Sequence, residues 1–154
     1  AGLATCEPLH ATPHSRRPSQ DAMSNITLLH PGMSLEELQT YSDAWNEHDI
    51  DKIMSWMTDD CVFETSDGAE PWGTRFIGAR AVRARFIEVW TDLPDVTFHN
   101  ARHFVSGDRG CSEWTFTGTR GDGARVEVDG CDLFTFRGRR IFLKNSFIKQ
   151  RSEA

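Results

Sequence analysis

Apolar side chains recur at helical spacing in three segments of the first two thirds of the chain. The first segment begins at Ser34, and Glu37 three residues later completes the Ser-x-x-Glu pattern of an N-terminal capping box. Apolar residues then follow at the three-to-four residue spacing of a helix face, with Leu38 among them. The second segment covers residues 50–60 and the third residues 79–93. The pattern therefore predicts three helices.

The period changes after Pro94, where apolar and polar residues begin to alternate as in β-strands. Gly-Asp, Gly-Asp-Gly and Arg-Gly-Arg sequences separate the alternating runs and are typical of tight turns. The four runs span residues 95–108, 109–123, 124–139 and 140–151. A shorter strand is predicted at residues 61–66, followed by a loop with an extended piece. Helices followed by an antiparallel sheet indicate an α+β fold with helices on one sheet face.

The N-terminal residues 1–32 differ from the rest of the chain. They hold four of the six prolines and show no hydrophobic period. We expect a flexible tail there and one domain over residues 33–151. The tail has no apolar run flanked by basic residues, so the sequence does not predict a secretory signal.

Charge and cysteine content exclude several classes of protein. The net charge of −6 is spread along the chain, which does not favour nucleic-acid binding. No run approaches the roughly 18 apolar residues of a membrane-spanning helix. The four cysteines form no Cys-x-x-Cys pair, so we expect reduced, buried thiols in a cytoplasmic protein and no metal site.

Two stretches carry a resemblance to a known family: "AWNEHDIDKIMSWMTDDCVFE" and "GCDLFTFRGRRI". Together with the order of elements, they resemble the SnoaL-like and ketosteroid isomerase-like group of the nuclear transport factor 2-like superfamily, over about residues 34–150. The resemblance implies a cone-shaped α+β barrel: three N-terminal helices on a curved, mainly antiparallel sheet, closing around a pocket. It also implies a homodimer through the outer sheet face. Such proteins include isomerases, cyclases, dehydratases, epoxide hydrolases and binding modules, so the fold alone does not assign a function.

The resemblance implies two catalytic residues, Tyr41 and Asp132. In ketosteroid isomerases a tyrosine and an aspartate at these positions form the oxyanion hole, and SnoaL-like cyclases have an acid/base aspartate on the strand of Asp132. The isomerase general base falls on Thr65. Threonine does not shuttle protons as a carboxylate does, which argues against ordinary steroid isomerisation.

The protonation of Asp132 depends on its neighbours. A carboxylate in an apolar site is costly to ionise, and a neutral acid could donate a hydrogen bond to an oxyanion. The face of the last strand that carries Lys144 looks into the cone in the family register. Lys144 could pair with Asp132 and make it a base, or extend to the rim; we expect the rim.

Aromatic and polar residues around this pair are the predicted ligand contacts. They are Trp45, Thr65, Trp72, Phe86, Trp114 and Lys144. Trp72 lies in the loop "DGAEPWGT" and is the candidate lid. His99 and His103 are four apart on a strand, so we place them on one face. With Glu113, His103 forms either an inward acid/base pair or part of the outer surface.

The sequence therefore favours cofactor-free acid/base chemistry on a small hydrophobic carbonyl compound: isomerisation, cyclisation or dehydration. The alternative is a non-catalytic module that binds a small ligand or associates with a partner. Epoxide hydrolysis would use an Asp-Arg-Asp set, for which Arg102 and Asp132 are available but a second aspartate is not evident. We expect no cofactor, no nucleic acid and no membrane partner.

Overall fold

The structure is a computed structural model that describes residues 32–151. Its helices are α1 (Leu35–Asn46), α2 (Ile50–Ser55) and α3 (Ala79–Asp92). Its strands are β1 (Met57–Glu64), β2 (Arg75–Ile77), β3 (Thr97–Ser106), β4 (Arg109–Thr119), β5 (Arg125–Arg137) and β6 (Arg140–Ile148). The predicted tail lies outside the described residues, apart from Gly32.

The six strands form one sheet in the order β2-β1-β6-β5-β4-β3. Strands β3 to β6 are an antiparallel meander, while β1 runs parallel to β6 and β2 is an antiparallel edge strand. Side chains from the three helices and from the facing sheet surface share one core, which includes Leu38, Ile53, Phe86 and Phe134. The α+β class, with three helices on a curved and mainly antiparallel sheet, is confirmed.

Helix α1 begins as the capping box predicts. The Ser34 hydroxyl accepts a hydrogen bond from the Glu37 amide at 3.2 Å, and the Glu37 carboxylate accepts one from the Ser34 amide at 2.8 Å. This reciprocal pair satisfies two of the free amides at the helix start. The helix then buries Tyr41 and Trp45 against the sheet.

The second predicted helix is too long. Helix α2 ends at Ser55, and Met57 already belongs to β1, although the apolar spacing predicted a helix to residue 60 and a strand from 61. Met57 pairs with Ile141 of β6, whose amide donates to the Trp56 carbonyl at 2.8 Å. Pairing with a distant strand therefore overrides the local helical spacing at these residues.

Strand β3 contains an irregularity that reverses the direction of its side chains. His99 pairs with Thr115 and Arg102 with Glu113, so β3 has one more residue than β4 between these pairs. Asn100 has a φ of 55°, which asparagine tolerates better than most residues. The prediction that His99 and His103 share a face is wrong, because this β-bulge puts them on opposite faces.

The outer sheet face carries two of the cysteines. Cys61 is buried as expected, but Cys111 and Cys131 are only half-buried. The outward side chains include the exposed rings of Phe104 and Phe147. A homodimer through this face stays a prediction. None of the helices within residues 32–151 has the length and apolar character needed to cross a membrane.

Candidate functional site

A cavity of about 200 Å³ lies between the helices and the concave sheet face. Its wall is contributed mainly by α1, α3 and the strands β1, β4, β5 and β6. Most of the predicted site residues line it: Tyr41, Trp45, Thr65, Trp114, Asp132 and Lys144. The structure thus brings the lone tyrosine, the strand aspartate and the strand lysine to one space.

Two predicted ligand contacts lie elsewhere. Phe86 is fully buried beneath the cavity wall, with its ring packed against Trp45 and Phe63. Trp72 is 43% exposed and stacks under the Arg75 guanidinium, 4.7 Å from the ring centre. Neither is among the residues that line the cavity.

Asp132 and Lys144 form an ion pair inside the domain. Asp132 lies opposite Ser146 in the β5–β6 ladder, and Lys144 is two residues before Ser146 on the same face. The Lys144 ammonium contacts Asp132 Oδ1 and donates to Ser146 Oγ at 2.8 Å, while Ser146 donates to Oδ1 at 2.5 Å. Both residues are only 6% exposed. The expectation that Lys144 extends to the rim is wrong, because the cross-strand carboxylate holds it inside.

The second carboxylate oxygen faces the Trp114 indole. Trp114 Nε1 donates to Asp132 Oδ2 at 3.0 Å, and this is the one hydrogen bond to Oδ2 within residues 32–151. The indole fits because position 130 is glycine: a Cβ there would lie 2.3 Å from the Trp114 ring. One lone pair of Oδ2 is therefore left for a ligand. Asp132 is a partnered carboxylate, which suits the role of base or acceptor better than that of oxyanion donor.

Tyr41 presents an unsatisfied donor. Its hydroxyl is buried without a hydrogen-bond partner among the described residues. Its ring packs edge-on against Phe134 at 5.8 Å between centroids. Burial raises the pKa of Tyr41 well above its ordinary value, and the nearby Asp132 charge adds to the effect. The phenol therefore keeps its proton near neutral pH, and a ligand oxygen in the cavity would supply the missing acceptor.

The Thr65 hydroxyl is already committed to the backbone. It donates to the Asp67 carbonyl at 2.6 Å and accepts from the Thr74 amide at 2.9 Å. Thr65 thereby fixes the loop between β1 and β2 at the cavity wall.

His103 of β3 faces the concave side of the sheet, together with Ser112 of β4. His103 Nδ1 lies 2.8 Å from Ser112 Oγ, and Ser112 lines the cavity. Glu113 instead lies beside Arg102 on the outer face, with 2.6 Å between their charged atoms. The proposed pair of His103 with Glu113 does not form, and Arg102 is on the wrong face to join Asp132 in an epoxide-hydrolysing set.

Ser112 and Ser146 are among the polar cavity residues that were not singled out from the sequence. Ser146 shares the alternation of Lys144, so that pattern could have identified it. Nothing in the sequence marks Ser112 as a site residue, because a single serine near Trp114 is common in an ordinary strand. No group of three or more histidine, cysteine, aspartate or glutamate side chains in residues 32–151 is placed to hold a metal ion.

The family profile of the SnoaL-like domain matches residues 38–143, which span most of the described domain. No curated relative matches the sequence significantly.

Several solved structures have a similar fold. A putative polyketide cyclase from Xanthomonas campestris pv. campestris is 18% identical, with a TM-score of 0.65 over 73% of this chain and 87% of that one. TerC, co-crystallised with polyporic acid, is 19% identical, with a TM-score of 0.65 over 75% and 90%. A nuclear transport factor 2-like protein of unknown function from Burkholderia pseudomallei is 18% identical, with a TM-score of 0.68 over 76% and 92%. At these identities the likeness shows the fold.

Proposed function

The chain belongs to the SnoaL-like domain family, and from that premise we propose that it catalyses cofactor-free proton transfer next to the carbonyl group of a small hydrophobic compound. The observation that carries the proposal is the meeting of two complementary groups in one cavity. Tyr41 offers a buried hydroxyl without a partner, and Asp132 offers a carboxylate oxygen with a free lone pair.

Each group has a distinct role in this chemistry. Asp132 Oδ2 accepts the proton from the carbon next to the carbonyl, while Lys144 and Ser146 hold the carboxylate in place through Oδ1. Tyr41 donates to the carbonyl oxygen as negative charge develops on it. In isomerisation, the proton returns from Asp132 to another carbon of the enolate. In cyclisation, the enolate carbon attacks a second carbonyl of the substrate, and the resulting alkoxide takes the proton. In dehydration, the proton goes to the departing hydroxyl, which leaves as water.

The rest of the wall favours a largely apolar, flat ligand. Trp45, Trp114 and the phenylalanines Phe63 and Phe98 present aromatic surface to the cavity. A volume of about 200 Å³ limits the ligand to one or two fused rings in size. Putative polyketide cyclases are among the structures with this fold, which supports a carbonyl-rich substrate class.

The proposal can be tested without knowing the natural substrate. The wild-type protein should speed deuterium exchange at the carbon next to the carbonyl of bicyclic ketones such as 2-tetralone, followed by NMR in D₂O. Asp132→Asn should slow exchange by about 100-fold or more, the usual contribution of a general base. Tyr41→Phe should slow it by a similar factor. The control Asp129→Asn changes an exposed aspartate on the same strand and should have no effect.

A second candidate function is ligand binding without turnover. Thr65 favours this function, because it stands where the resemblance places the general base of the isomerases. Its hydroxyl is already hydrogen-bonded to the backbone. Tryptophan fluorescence separates the two functions, because Trp45 and Trp114 line the cavity. Ketone binding that quenches this fluorescence, with exchange no faster than in buffer, would reject the enzyme and support the binding module.

A further inference from the structure

A chain of hydrogen bonds leads from the cavity wall to the surface through His103. Ser112 Oγ lies 2.8 Å from His103 Nδ1, and His103 Nε2 lies 3.0 Å from Gln39 Oε1. The Gln39 amide nitrogen donates to Asp43 at 2.7 Å. Three elements contribute to this chain: β4 holds the serine, β3 the histidine and α1 the glutamine and the aspartate.

The donor and acceptor in each hydrogen bond of this chain follow from Asp43 at its outer end. Because the Asp43 carboxylate only accepts, the Gln39 NH₂ group points to it and Gln39 Oε1 faces His103. That oxygen also only accepts, so the proton of a neutral imidazole is on Nε2. Nδ1 is then the acceptor, and the Ser112 hydroxyl donates to it. Burial lowers the pKa of His103, against a smaller opposing effect of Asp43, so the ring is neutral near pH 7.

This is the arrangement of an activated hydroxyl. A nucleophile donates to one imidazole nitrogen while a side-chain oxygen orients the other, as the asparagine does in the Cys-His-Asn enzymes. Ser112 is 3% exposed and is one of the residues that line the cavity. We propose that Ser112 is a nucleophile for small apolar esters, with His103 as its general base and Gln39 as the positioning residue.

The reaction balances with water as the second substrate. Ser112 Oγ attacks the ester carbonyl, a bond forms between Oγ and the acyl carbon, and the hydroxyl proton passes to His103 Nδ1. The carbon–oxygen bond of the ester breaks, and His103 gives the proton to the leaving alcohol. Water, deprotonated by the same nitrogen, then releases the acid and restores Ser112. The unpartnered Tyr41 hydroxyl in the same cavity is the donor available for the oxyanion.

Ser112 lies directly opposite Asp132 in the β4–β5 ladder, but the two residues belong to different hydrogen-bond networks. Within the described residues, Asp132 receives its hydrogen bonds from Lys144, Ser146 and Trp114, and none from Ser112. The serine chemistry therefore does not depend on the carboxylate as a base. Asp132→Asn should slow ketone exchange by about 100-fold or more, while Ser112 should still be labelled.

The test is covalent labelling with diisopropyl fluorophosphate, which transfers its phosphoryl group to an activated serine and releases fluoride. Intact-protein mass should show one adduct on the wild-type chain, and peptide mapping should place it on Ser112. Ser112→Ala should give no adduct. His103→Gln should label at least about 100-fold more slowly, since it removes the general base.

The chain supplies a matched control on the outer sheet face. His99 Nε2 lies 2.9 Å from the Thr117 hydroxyl, a similar pair that faces away from the cavity. His99→Gln should label at the wild-type rate. At the positioning residue, Gln39→Leu should slow labelling by about tenfold, and Gln39→Glu, which keeps an oxygen for Nε2–H, should restore it.

Two results would overturn the proposal: a wild-type chain without an adduct on Ser112, or equal labelling rates in His103→Gln and the wild type. Circular dichroism of each variant shows that it is folded. Turnover of 4-nitrophenyl acetate by the wild type, lost in Ser112→Ala, is expected in addition. Labelling of Ser112 without any ester turnover would reject the hydrolytic cycle described above.

Discussion

Replacing Lys144 by methionine tests whether the ion pair in the cavity is as enclosed as the structure places it. The side chains of Lys144 and Asp132 are 7% and 9% exposed. Methionine keeps much of the length of lysine but leaves the Asp132 carboxylate with neutral donors only, Ser146 and Trp114. Breaking a buried pair in this way typically costs 3–5 kcal/mol. Because the pair borders a cavity and is not packed on every side, we expect about 3 kcal/mol, the lower end of that range.

The double variant isolates the interaction between the two charges. Asp132→Asn alone leaves the ammonium unpaired and should cost a similar amount. In Asp132→Asn/Lys144→Met neither charge remains, and the amide oxygen can still accept from Trp114. We therefore expect the double variant to lose at least about 2 kcal/mol less than the sum of the two single losses.

Urea unfolding followed by circular dichroism gives these free energies. With a slope of about 1.5 kcal/mol per molar urea, the Lys144→Met midpoint should fall by about 2 M. Arg83→Met removes an exposed partner of Asp51, whose carboxylate lies 2.7 Å from the guanidinium, and should cost less than about 1 kcal/mol. Losses that add to within about 0.5 kcal/mol would show that the two charges do not interact in a sheltered site, which refutes the reasoning.

Three further outcomes follow from the structure. Tyr41→Phe should leave the free energy of unfolding unchanged or raise it by up to about 1 kcal/mol, because the hydroxyl has no partner to lose. Gly130→Ala should cost about 1–3 kcal/mol and alter the near-ultraviolet circular dichroism, because the new Cβ displaces the Trp114 ring. The Arg139 guanidinium holds the pKa of Glu37 below its usual range. The ionised Glu37 carboxylate therefore stabilises the folded state fully at neutral pH, and this stabilisation is lost as the pH falls through the lowered pKa. Glu37→Gln should be less stable than wild type at pH 7 and equal to it in acid, as measured by thermal unfolding.

Each of these outcomes has a control and a contradicting result. A clear destabilisation by Tyr41→Phe would mean that the hydroxyl has a partner in solution. Gly121→Ala places its Cβ in open space and should be neutral, so an equal loss there would remove the steric explanation for Gly130. The exposed Glu70→Gln should follow the wild-type pH curve, and a constant deficit of Glu37→Gln at every pH would contradict the linkage.

The sequence predicted those elements whose signals are local. The Ser34–Glu37 capping box and the apolar spacing after it identified the start of α1, because helix caps depend on residues three apart. The turn sequences between the later strands identified the meander, because a tight turn also depends only on residues close together in the chain. The start of β1 was missed, because Met57 is extended through its pairing with Ile141 of β6, which local spacing does not encode.

The chemistry of the site depends on relations between strands. Alternation along β6 places Lys144 and Ser146 on one face, but the identity of the facing residue on β5 depends on the β5–β6 register. For that reason the sequence left the pairing of Lys144 open and favoured the wrong alternative. Ser112 could not be singled out, since its partner His103 belongs to another strand and faces the cavity only because of a backbone irregularity.

The extra residue in β3 has a consequence for how relatives with this fold could diverge. At the present chain length, the bulge before Arg102 decides whether the His103 imidazole points into the interior or into the surrounding water. If β3 were regular from His99 onward at its present length, His103 would lie opposite Cys111 and its ring would point outward, although no functional side chain would have changed. The backbone conformation of this strand, and not only the identity of the side chains in the site, therefore decides whether a relative can activate the serine at position 112.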